Sequence, residues 1–159
     1  MILVKIILII TLGLIFIQDY KERRVFWFLF PIVGLCSGFL FYNDTLPELF
    51  ITSIILNLAF VTLLLLVIIL YSKLVLKVNI SEAFGLGDAL LFIGLIFSFS
   101  TISFLIIFVF ALVFSLIAHL SLKRFSKIKS VPLAGYLSLF FGASYISFWL
   151  GITNSLYAF

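Results

Sequence analysis

Apolar residues in this chain come in long unbroken blocks separated by short polar clusters, with no alternation of the kind a half-buried strand shows. The blocks at 1–18, 25–42, 49–71 and 131–150 each approach the roughly 20 residues that a helix rising about 1.5 Å per residue needs to cross a hydrocarbon core. Thr45 with Glu48 three positions on reads as a capping box, and Pro47 falls in the first turn, so the third helix is expected to start there. Pro132 belongs to the opening turn of the last. From Ala89 to Ala118 no residue is charged. A single helix of that length would measure about 45 Å, against a core of about 30 Å. Ser98, Ser100, Thr101 and Ser103 cluster where a turn is required, and the stretch divides into helices at about 84–99 and 102–122. The pattern predicts an all-α, polytopic membrane helix bundle of about six transmembrane helices, forming one domain over 1–159.

Composition agrees with lipid as the solvent. Apolar residues make up 65% of the chain and charged residues 10%, against roughly 25% charged in a soluble domain. No polar or Pro/Gly/Ser-rich stretch is long enough to be a linker. The first block lacks a small-residue cleavage site, since Gln18, Asp19 and Tyr20 follow it, so it reads as a retained span with Lys5 snorkelling to the outer headgroups. Cys36, the single cysteine, has no partner for an internal disulfide or at metal-ligand spacing, and reads as a small packing residue.

Charge then orients the bundle. The net charge of +4 is not spread as a nucleic-acid surface would be; the cations sit at the ends of apolar blocks, and no nucleic-acid partner is expected. Six spans gather Lys21, Arg23, Arg24, Lys73, Lys77, Lys123, Arg124, Lys127 and Lys129 on one side. That leaves only Lys5 on the other, together with Asp44 and Glu48. The positive-inside rule puts the cationic side in the cytoplasm and both termini outside. Five spans would destroy this asymmetry. Trp27 and Trp149 fall near opposite ends, as interfacial anchors do.

Two carboxylates stand out, because an acid costs about 2.5–3.5 kcal/mol at the centre of a spanning helix and less toward its ends. Asp19 closes the first span. Asp88 lies about one turn inside the fourth, within Phe84-Gly85-Leu86-Gly87-Asp88-Ala89. The topology brings both to the cytoplasmic side at similar depth. If the first and fourth helices are neighbours, the pair shares a proton, and its ionised member activates water while the protonated member polarises a peptide carbonyl. Gly85 and Gly87 leave room for a substrate backbone and permit unusual backbone angles. Taken singly, each acid also has a structural reading. Asp19 ends a helix beside Lys21 and Arg23, and Asp88 sits near a helix N-terminus, where negative charge is favoured.

Together, an Asp ending the first span before a basic stretch, Gly85-Leu86-Gly87-Asp88 opening a later span, and Val131-Pro132-Leu133-Ala134-Gly135-Tyr136-Leu137 resemble the type IV prepilin peptidases. These are G-x-G-D aspartyl proteases of the membrane. The resemblance covers essentially the whole chain and implies cleavage of the basic leader of prepilin-like proteins at the cytoplasmic face of a bacterial inner membrane. It also implies that Asp19 and Asp88 are the catalytic pair. The family follows its first Asp with a basic residue and Ile-Pro-Asn, where this chain has Arg23-Arg24-Val25-Phe26-Trp27; it has x-Lys after its G-x-G-D, where this chain has Leu90. The paired Cys-x-x-Cys insertion of many members is missing, so the resemblance is to the short, peptidase-only form, with neither zinc nor any other cofactor. Presenilin-type proteases, with Tyr-Asp and Pro-Ala-Leu, fit less well.

Of the remaining polar residues, Asn57 is expected to hydrogen-bond another helix, and His119 to lie at the interface. Glu22 and Glu82 are placed to attract a basic leader, although solvated surface charge is the plainer reading. The competing class is a non-catalytic membrane subunit or a small transporter. A transporter is expected to line both halves of a path with polar groups.

Overall fold

A computed structural model of the chain describes residues 1–77, 84–122, 131–152 and 157. Among these residues there are six α-helices and no strand: α1 (Ile2–Glu22), α2 (Leu29–Asn43), α3 (Pro47–Tyr71), α4 (Leu86–Leu95), α5 (Thr101–Leu122) and α6 (Leu133–Trp149). A π-helical turn, Ser72–Leu76, extends α3. Three helices are long and apolar enough to cross a membrane by length and composition, namely α1, α3 with its extension, and α5. The outer faces carry exposed Leu3, Leu35, Leu63, Val67, Phe110 and Leu116, which is the surface expected of a bundle solvated by lipid rather than water. Lys123, Arg124, Lys127, Lys129 and Glu82 lie outside the described residues, and with them much of the charge pattern used to orient the chain.

The packing places α6 at the centre. It lies most extensively along α1 and then α5, while α4 packs chiefly on α2. Phe99, Phe141 and Tyr145 form a ring cluster between the α4–α5 turn and α6. Phe60, Phe92, Phe104 and Phe108 join α3, α4 and α5 edge to face. At the end of α6, Lys5 Nζ stands 5.0 Å from the centre of the Trp149 ring. Trp27 is exposed in the α1–α2 connection.

The division of the long uncharged stretch is present, but α4 is shorter than expected. It has ten residues, about 15 Å, and 96–100 form a turn buried in the bundle. Backbone deprived of its helical partners survives in an apolar interior only if other groups satisfy it. Asn57 does this for two carbonyls, its Nδ2 donating to Ile96 O and Phe99 O at 3.0 Å each. The Tyr145 hydroxyl donates to Ser98 O at 3.2 Å. Asn57 therefore bonds across helices, as its position implied.

The expected Thr45–Glu48 capping box does not form. Proline disfavours helical angles in the residue before it, so Leu46 is extended (φ −67°, ψ 140°) and takes the cap position ahead of Pro47. Thr45 Oγ1 is buried without a hydrogen-bond partner.

Candidate active site

The first turn of α6 carries the geometry that matters. A helix begins with amides that have no carbonyl one turn back, and a Ser, Thr, Asp or Asn at the cap usually supplies an acceptor for the second or third. Here the cap residue is Pro132, which has no acceptor on its side chain. The Leu133 amide reaches Val131 O at 3.0 Å, and the Tyr136 amide makes the first helical bond, to Pro132 O at 3.1 Å. The two amides between them belong to Ala134 and Gly135. Ala134 N donates to Asp88 Oδ1 at 2.7 Å, and Gly135 N donates to Asp19 Oδ2 at 2.7 Å.

Asp19 and Asp88, brought from opposite halves of the chain, thus occupy adjacent amides of one helix. Consecutive backbone nitrogens are so close that the two bonded carboxylate oxygens lie within about 9 Å of each other at the outside. The charge of Asp19 acts on the Asp88 carboxyl. The convergence does not come from direct packing of α1 on α4, which share no extensive contact. Both meet at α6, and α6 was not part of the expected arrangement.

Each Asp is held by its own surroundings as well. Asp19 is buried in the last turn of α1. Asp88, half-buried, is the third residue of α4, and its Oδ2 also accepts from the Gly85 amide at 3.3 Å. The carboxylate therefore caps its own helix with one oxygen and α6 with the other. Gly85 has φ −73° and ψ 141°, ordinary extended backbone, so the expectation of unusual angles is not met there. Space is tight at Gly85, where a Cβ would lie 3.0 Å from Asp88 Oδ2, whereas one at Gly87 would make only an ordinary contact with Phe30 Cζ at 3.6 Å.

Arg23 completes the setting. It ends α1 in the left-handed conformation (φ 56°, ψ 20°), uncommon for a side chain with a Cβ. Its positive charge acts on Asp19, Asp88 and Tyr136. The following segment folds back on α1, with Phe26 N donating to Gln18 Oε1 at 3.1 Å. Sequence reading placed Arg23 beside Asp19 and singled out the segment Val131 to Leu137, but missed that the Ala134 and Gly135 amides hold the two carboxylates. The available signal was the cap of the last helix, where Val131-Pro132-Leu133 offers no side-chain acceptor.

Two apolar crevices flank α4. One, of about 670 Å³, runs between α2 and α4 from Phe30 and Leu90 to Tyr42 and Phe50, floored by Gly34, Gly38 and Gly94. The other, of about 440 Å³, lies between α3, α4 and α5 and ends at Phe84 and Leu133, the neighbours of the two capping turns. Among the described residues no three His, Cys, Asp or Glu side chains come together as metal ligands. His119 stands in the last turn of α5, and Glu22 is exposed at the end of α1. No protein-family model matches the chain, and no curated protein or solved structure is significantly similar to it.

Proposed function

We propose that this chain is a membrane aspartyl endopeptidase that removes the basic leader of prepilin-like proteins, with Asp19 and Asp88 as its catalytic pair. The observation that carries the reading is their attachment to adjacent amides at the start of α6, at 2.7 Å each. Two acids held on neighbouring amides would work on one water and one peptide bond. The ionised member removes a proton from water as its oxygen attacks the carbonyl carbon, while the protonated member gives its proton to the carbonyl oxygen. Proton return from the resulting diol, with protonation of the amide nitrogen, breaks the C–N bond and leaves a carboxyl group and an amine.

The orientation follows the positive-inside rule: six membrane-embedded helices, of which α4 is too short to cross alone, the dyad on the cytoplasmic side of a bacterial inner membrane, and both termini outside. The substrate leader stays in the cytoplasm, and its apolar segment leans along the bundle. The crevice between α2 and α4, which begins at Leu90 two residues beyond Asp88, supports that placement. No metal or organic cofactor takes part in this chemistry.

A second reading has an observation of its own. Both carboxylates cap helix ends, which is a structural task, and a non-catalytic membrane subunit would need nothing more. A transporter is less favoured, since among the described residues the charged groups at the site are Asp19, Asp88 and Arg23, while Asn57 Nδ2 and the Tyr145 hydroxyl are engaged with backbone carbonyls. Cleavage of a prepilin with a lysine-rich leader separates the readings. Asp19→Asn and Asp88→Asn each keep an oxygen able to accept the α6 amide but cannot cycle a proton. Loss of cleavage in both, with the protein still folded in the membrane, is the expected result; undiminished cleavage by either variant ends the peptidase reading.

A further inference from the structure

We infer that the first turn of α6 is the positioning device of the dyad, and that Gly135 is glycine so that α1 can deliver Asp19 to it. The catalytic meaning of this inference rests on the peptidase reading; its geometric content does not. The accounting of amides is the first support. The two donors of the turn that have no acceptor within α6 or its cap are the two that hold the acids. A serine or aspartate in place of Pro132 would compete for the same donors, so the missing local cap is what keeps them available to distant side chains.

The second support is steric. A Cβ at Gly135 would lie 3.2 Å from Asp19 Oδ2, 3.3 Å from Asp19 Cβ and 3.4 Å from Phe16 O. Asp19 Cβ is fixed by the α1 backbone, so that contact is relieved only by a shift of α1, and the Oδ2 contact only by turning the carboxylate away; Phe16 O at 3.4 Å is close to an ordinary contact. Gly142, farther along α6 on the same neighbour, is different: its added Cβ would meet Leu12 at 3.9 Å, an ordinary contact. Both glycines lie where α6 packs on α1, yet only one is required by the carboxylate. The two acids are thereby fixed relative to one another through a third element whose own side chains do no chemistry.

The test pairs Gly135→Ala with Gly142→Ala in the full-length protein and measures leader cleavage alongside amide proton shifts in protein labelled at glycine and alanine. Gly135→Ala is expected to lower kcat about ten- to a hundredfold with KM unchanged, the scale of a misplaced catalytic group. Gly142→Ala is expected to leave both constants within about twofold, on the same argument. In wild type the Gly135 and Ala134 amide protons are expected far downfield, as donors to carboxylates are. Asp19→Asn should move the first and Asp88→Asn the second, with the remaining resonances reporting that the fold is intact. Equal loss from both glycine variants overturns the inference, as do amides that ignore the partner substitution. Should wild type cleave no prepilin, the peptidase reading falls alone, and the amide shifts still decide whether the clamp exists.

Discussion

Two of the polar sites in the described interior of this bundle solve opposite halves of one problem. At the turn after α4, carbonyls lose their helical partners and are met by neutral donors, the Asn57 amide and the Tyr145 hydroxyl. At the start of α6, amides lack partners and are met by two carboxylates. Donors to a carbonyl can be neutral at modest cost. Acceptors for an amide can be neutral too, since Ser, Thr or Asn serve as caps. Placing two acids side by side where a single hydroxyl would suffice adds desolvation and mutual repulsion. The first site reads as structure. The second carries a cost that capping alone does not require, which is what the proposed proton transfer would use.

Substitutions can break or sharpen that contrast. The widest separation is expected in activity. Asp19→Asn and Asp88→Asn should each reduce cleavage by at least about a thousandfold, as removal of one member of a catalytic unit does. Asn57→Leu should stay within about tenfold of wild type, because it touches no reacting atom. Stability should reverse the order. Asn57→Leu leaves two buried carbonyls unmatched and is expected to cost about 1–2 kcal/mol in a denaturant titration of the reconstituted protein. Asp19→Asn, which keeps an acceptor for its one amide, should cost less than Asn57→Leu in that titration, while Asp88→Asn keeps one oxygen for two amides and should fall between them. If the two Asp→Asn variants are the most destabilised of the set, the dyad is a structural clamp. The smallest effect is expected from Tyr145→Phe. It removes one hydrogen bond to Ser98 O while keeping the ring against Phe99, at about 0.5–1 kcal/mol by the same measurement.

Much of this was legible in the sequence, because lipid imposes a simple rule on length and polarity. The serine cluster at 98–103 marked the break between α4 and α5, and the position of Asn57 announced a bond to another helix. Asp19 and Asp88 were recognisable as a pair from their places at the ends of apolar blocks. What sequence did not reveal was how they meet. Adjacent amides carry no residue-type signature, so although the segment Val131 to Leu137 stood out, the hold of its Ala134 and Gly135 amides on the acids was hinted at only by the missing cap at Pro132. Thr45 and Glu48 show the converse failure. The capping motif was present, but the constraint of Pro47 on Leu46 moved the cap by one residue and left Thr45 outside it.

The glycines between α2 and α4 have one more consequence. A Cβ on Gly94 would sit 2.9 Å from Phe30 O, so the two backbones touch and α4 cannot slide along α2. Ten residues reach only about halfway through a bilayer, and a helix that short has no hydrophobic length of its own to match against the lipid. The level at which Asp88 stands is therefore dictated by a backbone stop inside the protein. If the chain is the proposed peptidase, cleavage should proceed at similar rates in thin and thick bilayers, with the surrounding lipid adjusting to the protein.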